Sequence, residues 1–203
     1  MNGKYGAQAE RWTETAYADA HAYLAHRAHL IVALGPALTS GDSVLDLACG
    51  DGGLAEHLPQ LRYLGVDSSP EMVEAAQRHG RDVVLGDLNV YEPPQQVTAA
   101  TCFRAIYYAH DRAAFFRRVA EYTERKLVFD LNPRQYRVDD VRRELAAAGF
   151  DQLALRPFFA PQRVSLPGPA LFALRALERG GPVARALLRL RFSYLCAAFR
   201  GGK

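Results

Sequence analysis

The 203-residue chain predicts an α/β protein built on a doubly wound, mostly parallel sheet. Three observations carry that expectation. Short apolar runs alternate with helical patterns from Ser43 to Arg156, as parallel strands joined by crossover helices do. The run Val44-Leu45-Asp46-Leu47 passes directly into a glycine-rich turn, Cys49-Gly50-Asp51-Gly52-Gly53. A second apolar run ends in Gly65-Val66-Asp67, at the spacing from the first glycine turn that nucleotide-binding sheets use.

The elements follow in order. Glu10 to Leu34 reads as one or two helices, broken afterwards by Gly35-Pro36 and Ser40-Gly41-Asp42. Ser43 to Leu47 is the first strand, and a first crossover helix is expected from Leu54 to Leu58. Tyr63 to Val66 is the second strand. Ser69 and Pro70 supply an N-cap and a first helical residue for a helix that stops at Gly80. Val83 to Leu85 and Thr98 to Phe103 are the third and fourth strands. Arg112 to Tyr122 is helical, Lys126 to Leu131 is the fifth strand, and Val138 to Ala148 is a helix closed by Gly149. Gln152 to Arg156 is a sixth strand. Pro167 to Leu190 carries helical stretches interrupted at Gly180-Gly181-Pro182. Arg191 to Arg200 alternates as a seventh strand.

The glycine turn is a ligand-approach device. Glycine leaves out Cβ atoms, so the backbone turns sharply and comes close to a bound group. Asp67, at a strand end, is placed to accept from ribose hydroxyls. Asp46 excludes the commonest occupant of such a turn. A pyrophosphate beside a carboxylate is repelled, whereas a cationic amine or sulfonium is attracted. The spacing Asp46-x-Ala48-x-Gly50-x-Gly52 also departs from the dinucleotide pattern.

Asp46-x-Ala48-x-Gly50-x-Gly52 resembles the first motif of the class I S-adenosylmethionine-dependent methyltransferases, [DE]-x-[GA]-x-G-x-G. Gly65-Val66-Asp67-Ser68-Ser69-Pro70-Glu71-Met72 resembles the second, and Gly86-Asp87-Leu88 the third. Phe103 to Tyr108 and Leu127 to Asp130 stand at the ends of the family's fourth and fifth strands. The resemblance implies a Rossmann-like fold of seven strands, the last antiparallel, with N-terminal helices and a helical insertion before the final strand. It implies one domain over 1–203, divided into a lid (1–40), a cofactor core (43–156) and the insertion with the last strand (157–203). It also implies S-adenosylmethionine as cofactor and S-adenosylhomocysteine as product. Asp46, Ala48, Gly50, Gly52, Ser68, Gly86 and Leu88 would surround it. Asp67 would hold the ribose, Met72 and Phe103 would pack beside it, Asp87 would meet the adenine amine, and Tyr5 and Trp12 would cover it.

Methyl transfer needs alignment, a dry pocket, and a base only if the acceptor arrives protonated. Residues following the fourth and fifth strands are the acceptor candidates. His110 is the candidate base, with Tyr107 beside it, against the plainer expectation that the tyrosines pack and Asp111 caps a helix. Tyr108, Asn132, Arg134 and Tyr136 are candidate substrate contacts. Asn132-Pro133 is equally ordinary turn chemistry. His21, His26 and His29 lack partners at ligand spacing, so no metal is expected.

Composition is that of a cytoplasmic globular protein, with an arginine- and alanine-rich bacterial cast. Three scattered cysteines, Cys49, Cys102 and Cys196, argue against a disulfide framework. No apolar run spans a bilayer, and Met1 to Gly6 lacks a signal-peptide core. The net charge is +3, but residues 151–203 carry +7 and the remainder −4. The absence of an added nucleic-acid module and of a [DN]-P-P-[FY] motif favours a small-molecule acceptor, in a monomer or homodimer. The basic C-terminal third leaves an RNA or protein acceptor as the alternative, and a non-catalytic cofactor-binding protein is the rival from another class.

Overall fold

The computed structural model describes residues 6–189 and 192–201. Its centre is a seven-stranded sheet: β1 (Ser43–Leu47), β2 (Arg62–Asp67), β3 (Val83–Leu85), β4 (Val97–Cys102), β5 (Thr123–Leu131), β6 (Gln152–Phe158) and β7 (Ser193–Phe199). The order is β3-β2-β1-β4-β5-β7-β6. β1 to β5 pair in parallel, and β7 inserts antiparallel between β5 and β6. The chain order reverses between β1 and β4, which opens a crevice at the carboxyl edge.

Both sheet faces are buried, and strand alternation divides the core. Leu45, Leu47, Leu127, Phe129 and Leu131 pack with α4 (Arg112–Tyr122) and α5 (Val138–Ala147). Val44 and Val128 face the other way, against Tyr23, Leu24, Ala28 and Ile31 of α2 (Ala20–Ala33). α3 (Pro70–Arg78) covers the β3 end through Val73 and Ala76. Ser69 caps α3, its Oγ accepting from Met72 N at 3.4 Å, and Asp111 caps α4 by accepting from Ala114 N at 3.0 Å.

One expectation needs correction. The stretch after the glycine turn is not an α-helix but a 3-10 turn, Gly53–His57, because Pro59 restricts Leu58 and forbids extension. The N-terminal region carries two helices, as expected, α1 (Trp12–Ala16) and α2, preceded by a 3-10 turn (Gly6–Arg11). They separate at Tyr17, where the backbone becomes extended, and Asp19 restarts the helix by accepting from Ala22 N at 2.9 Å.

α2 is held from several sides. Lys126 on β5 is fully buried and donates to the carbonyls of Val32 (3.2 Å), which also takes the Leu38 amide, and Leu34 (2.8 Å), at the end of α2. Burial lowers this ammonium to about 8. The insertion forms α6 (Gly168–Leu177) and α7 (Pro182–Leu188), which pack around Phe159. Glu178, 1% exposed, joins that hairpin to α2. One oxygen meets His26 Nε2 at 2.7 Å and the other accepts from Phe159 N at 2.8 Å. His26 is therefore a buried structural partner, and among the described residues no cluster of His, Cys, Asp and Glu is arranged to hold a metal. No helix of the described residues is long and apolar enough to cross a membrane.

Removing Glu178 leaves a buried amide and an imidazole without partners. Glu178→Ala should lower the unfolding free energy by about 3 kcal/mol, with a smaller loss for Glu178→Gln. Urea denaturation of both variants reads the difference; an unchanged midpoint in Glu178→Ala would remove the latch from the account.

Candidate functional site

A cavity of about 640 Å³ opens at the carboxyl edge, where β1 and β4 diverge. That volume lies in the range of about 300–1,000 Å³ usual for small-molecule sites. The first motif forms one wall. Ala48, Gly50 and Gly52 all have positive φ, at 57°, 63° and 70°. At Ala48 this conformation carries backbone strain, because its Cβ crowds the carbonyl oxygen. Gly50 also lies under the Trp12 ring, which a Cβ would approach to 3.0 Å.

Asp67 sits at the tip of β2. Its Oδ2 accepts from Gly50 N at 2.7 Å and its Oδ1 from Ser69 N at 3.0 Å. Burial raises its pKa and these amides oppose the rise. Asp87 is held differently. Asn89 donates to it through its backbone and side-chain nitrogens, at 2.8 and 2.9 Å, which keeps the carboxyl below its ordinary value. Between the two carboxylates the wall is apolar, from Met72 and Leu88. This alternation of ribose-type acceptors and flat apolar surface fits a nucleoside.

Asp46 lies deeper and is 4% exposed. Burial pushes it up to about 6, against hydrogen bonds donated by Thr101 (2.6 Å) and Tyr63 (2.8 Å) and the nearby Arg27 charge. Such a carboxylate gains from a cation placed beside it, which is what an ammonium or sulfonium group supplies.

The cavity brings together most sequence candidates: Trp12, Asp46, Ala48, Gly50, Asp67, Ser68, Met72, Asp87, Leu88 and Phe103, with Tyr107, Tyr108 and His110 at its mouth. Tyr107 and Tyr108 pack ring to ring, with centroids 4.4 Å apart. Burial, followed by the Tyr108 hydrogen bond, raises Tyr107 to about 12, so it is a neutral phenol and not a base near neutral pH. His110 is exposed, and its backbone N donates to Asn89 Oδ1 at 2.9 Å.

Other candidates fall elsewhere. Tyr5 lies outside the described residues. Gly52 and Gly86 support the wall from behind, where a Cβ would press on Val83 and on Tyr91 and Val66. Asn132, Arg134 and Tyr136 are not among the residues that line the cavity. Asn132 Oδ1 accepts from Arg134 N at 3.1 Å, which is turn chemistry, and the Tyr136 ring lies under Arg112. The site residues that sequence reasoning missed are Arg27 and Arg104, which both line the cavity. Arg27 sits in an apolar helix stretch and no motif points to it. Arg104 directly follows a recognised position, and its φ of 55° marks it only once the backbone is known.

Residues 44–126 match the family model described as a methyltransferase domain. The chain is 34% identical over 74 residues to a trans-aconitate 2-methyltransferase of Mycobacterium ulcerans, covering 34% of this chain and 28% of the relative. It is 27% identical over 158 residues to the enzyme of that name from Mycobacterium tuberculosis, covering 73% and 48%. It thus spans less than half the length of either relative. A TehB-like SAM-dependent methyltransferase from Corynebacterium glutamicum shares the fold, with a TM-score of 0.64 at 16% identity over 95% of this chain and 96% of that one. Residues 44–126 thus carry a methyltransferase domain, and the fold around them is the one that the Corynebacterium glutamicum methyltransferase has.

Asp46 generates a pH prediction. Its raised pKa means that stability is fully present below the ordinary value near 4 and is lost as pH rises through about 6. The share lost by pH 7.5 is on the order of 2–3 kcal/mol. Asp46→Asn should abolish that part of the pH dependence. Urea unfolding at pH 4, 5.5 and 7.5 measures it, and parallel slopes for both proteins would contradict the assignment.

Proposed function

We propose that this chain is a class I methyltransferase that transfers the methyl group of S-adenosylmethionine to an oxygen, nitrogen or sulfur of a small-molecule acceptor. The observation that carries the reading is the single cavity that holds both a nucleoside-type wall and an aromatic mouth. A volume of about 640 Å³ accommodates a small acceptor beside a nucleoside. The mycobacterial relatives, named for a small organic acid, support the small-molecule class.

The bound cofactor supplies an electrophilic methyl on a sulfonium, and the protein supplies position and environment. Asp67 would accept from the ribose hydroxyls and Asp87 from the adenine amine, with Met72 and Leu88 against the ring. Asp46 would stabilise positive charge near the first motif. Trp12 and Phe103 exclude water from the reacting atoms, which strengthens every electrostatic contact inside. In-line approach from the mouth brings the acceptor past Tyr107, Tyr108 and His110. His110 takes the proton where the nucleophile is a phenol, alcohol or protonated amine. A carboxylate nucleophile is already ionised at neutral pH and needs no base.

Asp67→Ala should weaken S-adenosylhomocysteine by on the order of 2 kcal/mol, because buried hydroxyls lose their acceptors. Titration calorimetry gives the number, and wild-type affinity would sink the ribose assignment. His110→Ala should slow turnover of a protonated acceptor about a hundredfold, leave cofactor affinity unchanged, and barely affect a carboxylate acceptor. Isotopically labelled S-adenosylmethionine, incubated with metabolite extract and read by mass spectrometry, identifies acceptors for this assay. Labelling of RNA or protein alone would overturn the small-molecule reading.

A further inference from the structure

We propose that Arg27 is a carboxylate seat inside the cavity. The inference rests on the reading of this cavity as the methyl-transfer site. Arg27 lies in the middle of α2, is 4% exposed, and lines the cavity with Leu24, Phe103 and Arg104. Its guanidinium stands 4.3 Å from the Phe103 ring centroid, 4.8 Å from Tyr23 and 5.8 Å from Phe158. Nη2 donates to the Tyr23 hydroxyl at 2.9 Å. Nε is buried and has no hydrogen-bond partner among the described residues.

No carboxylate of the described residues forms an ion pair with it. The two acids that act on it do so through space, and each accepts hydrogen bonds from other residues. Asp46 accepts from Tyr63 and Thr101, and Asp130 Oδ1 accepts from Arg104 N at 2.7 Å. A buried cation without an ion pair is costly, and the aromatic rings offset only part of that cost. A guanidinium has five donors in a planar fork, and a carboxylate matches two of them at once. The unused donors are thus a built receptor for a ligand carboxylate, with Arg104 as a second positive charge on the same wall.

Two carboxylates can supply the anion: the amino-acid end of the cofactor, or an organic-acid acceptor. The test compares wild type, Arg27→Gln and Arg27→Lys. Trp12, the sole tryptophan, lines the cavity and reports binding by fluorescence, with calorimetry alongside. The probes are S-adenosylhomocysteine, 5′-methylthioadenosine, which keeps the nucleoside and lacks the carboxylate, and trans-aconitate added to the cofactor-saturated protein. Arg27→Gln should lose tenfold or more in affinity for a carboxylate ligand and none for 5′-methylthioadenosine. Loss on S-adenosylhomocysteine assigns the seat to the cofactor, and loss confined to trans-aconitate assigns it to the acceptor. Arg27→Lys should fall between, because it keeps the charge and not the fork. Equal S-adenosylhomocysteine affinity in wild type and Arg27→Gln, with no tricarboxylate binding that depends on Arg27, overturns the proposal. So does a parallel loss of 5′-methylthioadenosine, which marks a structural role. If wild type binds neither nucleoside, the cofactor reading fails, and the trans-aconitate titration still judges Arg27.

Discussion

The backbone of Asp67 and its carboxylate tie three segments together at the carboxyl edge of the sheet. Oδ2 takes the amide of Gly50 from the loop after β1, and Oδ1 takes the amide of Ser69, which opens α3. The Asp67 carbonyl takes the amide of Gly86 from the loop after β3, at 2.9 Å. The glycine loop is thereby positioned from β2 and not only by its own strand. The loop reaches that position through consecutive left-handed turns at Ala48, Gly50 and Gly52, which most side chains resist. A residue that organises the loop and faces the cavity leaves little freedom for substitution, because both of its carboxylate oxygens hold backbone amides.

Charge under this loop follows from the same geometry. Side chains alternate along β1, so Asp46 points to the face that α2 covers, where Arg27 waits. Asp130 reaches that region from the end of β5. Burial raises both acids, and the Arg27 charge opposes the rise. For Arg27 itself, burial works against the charge, but the Tyr23 and Tyr17 oxygens and the two acids outweigh it and raise its pKa. The three groups offset one another across space in a low-dielectric interior without touching. Such an arrangement is poised to respond to a charged ligand, since each new contact acts on groups that water does not screen.

The sheet was legible because its signals are local. Strand alternation, Ser69-Pro70 and Gly149 each act within a few residues, and all lie where expected. The fourth strand begins one residue earlier than expected and the fifth three earlier, an ordinary uncertainty at strand ends. The crossover after β1 was misjudged because Leu54 to Leu58 has helical residues but too little room before Pro59. That the motif residues Asp46, Gly50, Asp67 and Asp87 line one cavity was legible in the sequence. The part of the lining around Arg27 was not, because it is assembled from parts distant in sequence. Arg27 meets Phe103 and Phe158 only after folding, and Asn132 is taken up in its own loop by the Arg134 amide. His26 illustrates the same gap: its partner lies 152 residues away.

The N-terminal region divides energetically at Asp19. α2 beyond it is anchored by buried contacts: Lys126 at its end, the His26–Glu178 pair at its middle, and the aromatic cluster around Tyr23. The segment before it is held by contacts nearer the surface. Thr13 donates to Asp51 through its amide (3.1 Å) and hydroxyl (2.5 Å), and Arg81 braces Asp51 from behind at 3.3 Å. Gln162 exchanges bonds with Ala16 O and Ala18 N. The Glu10–Arg78 pair is exposed and adds little. Gly53 is the steric condition for this docking, because a Cβ there would collide with Thr13. Trp12 therefore rests on Gly50 through a small set of polar contacts at Asp51, whereas Arg27 is fixed by the core.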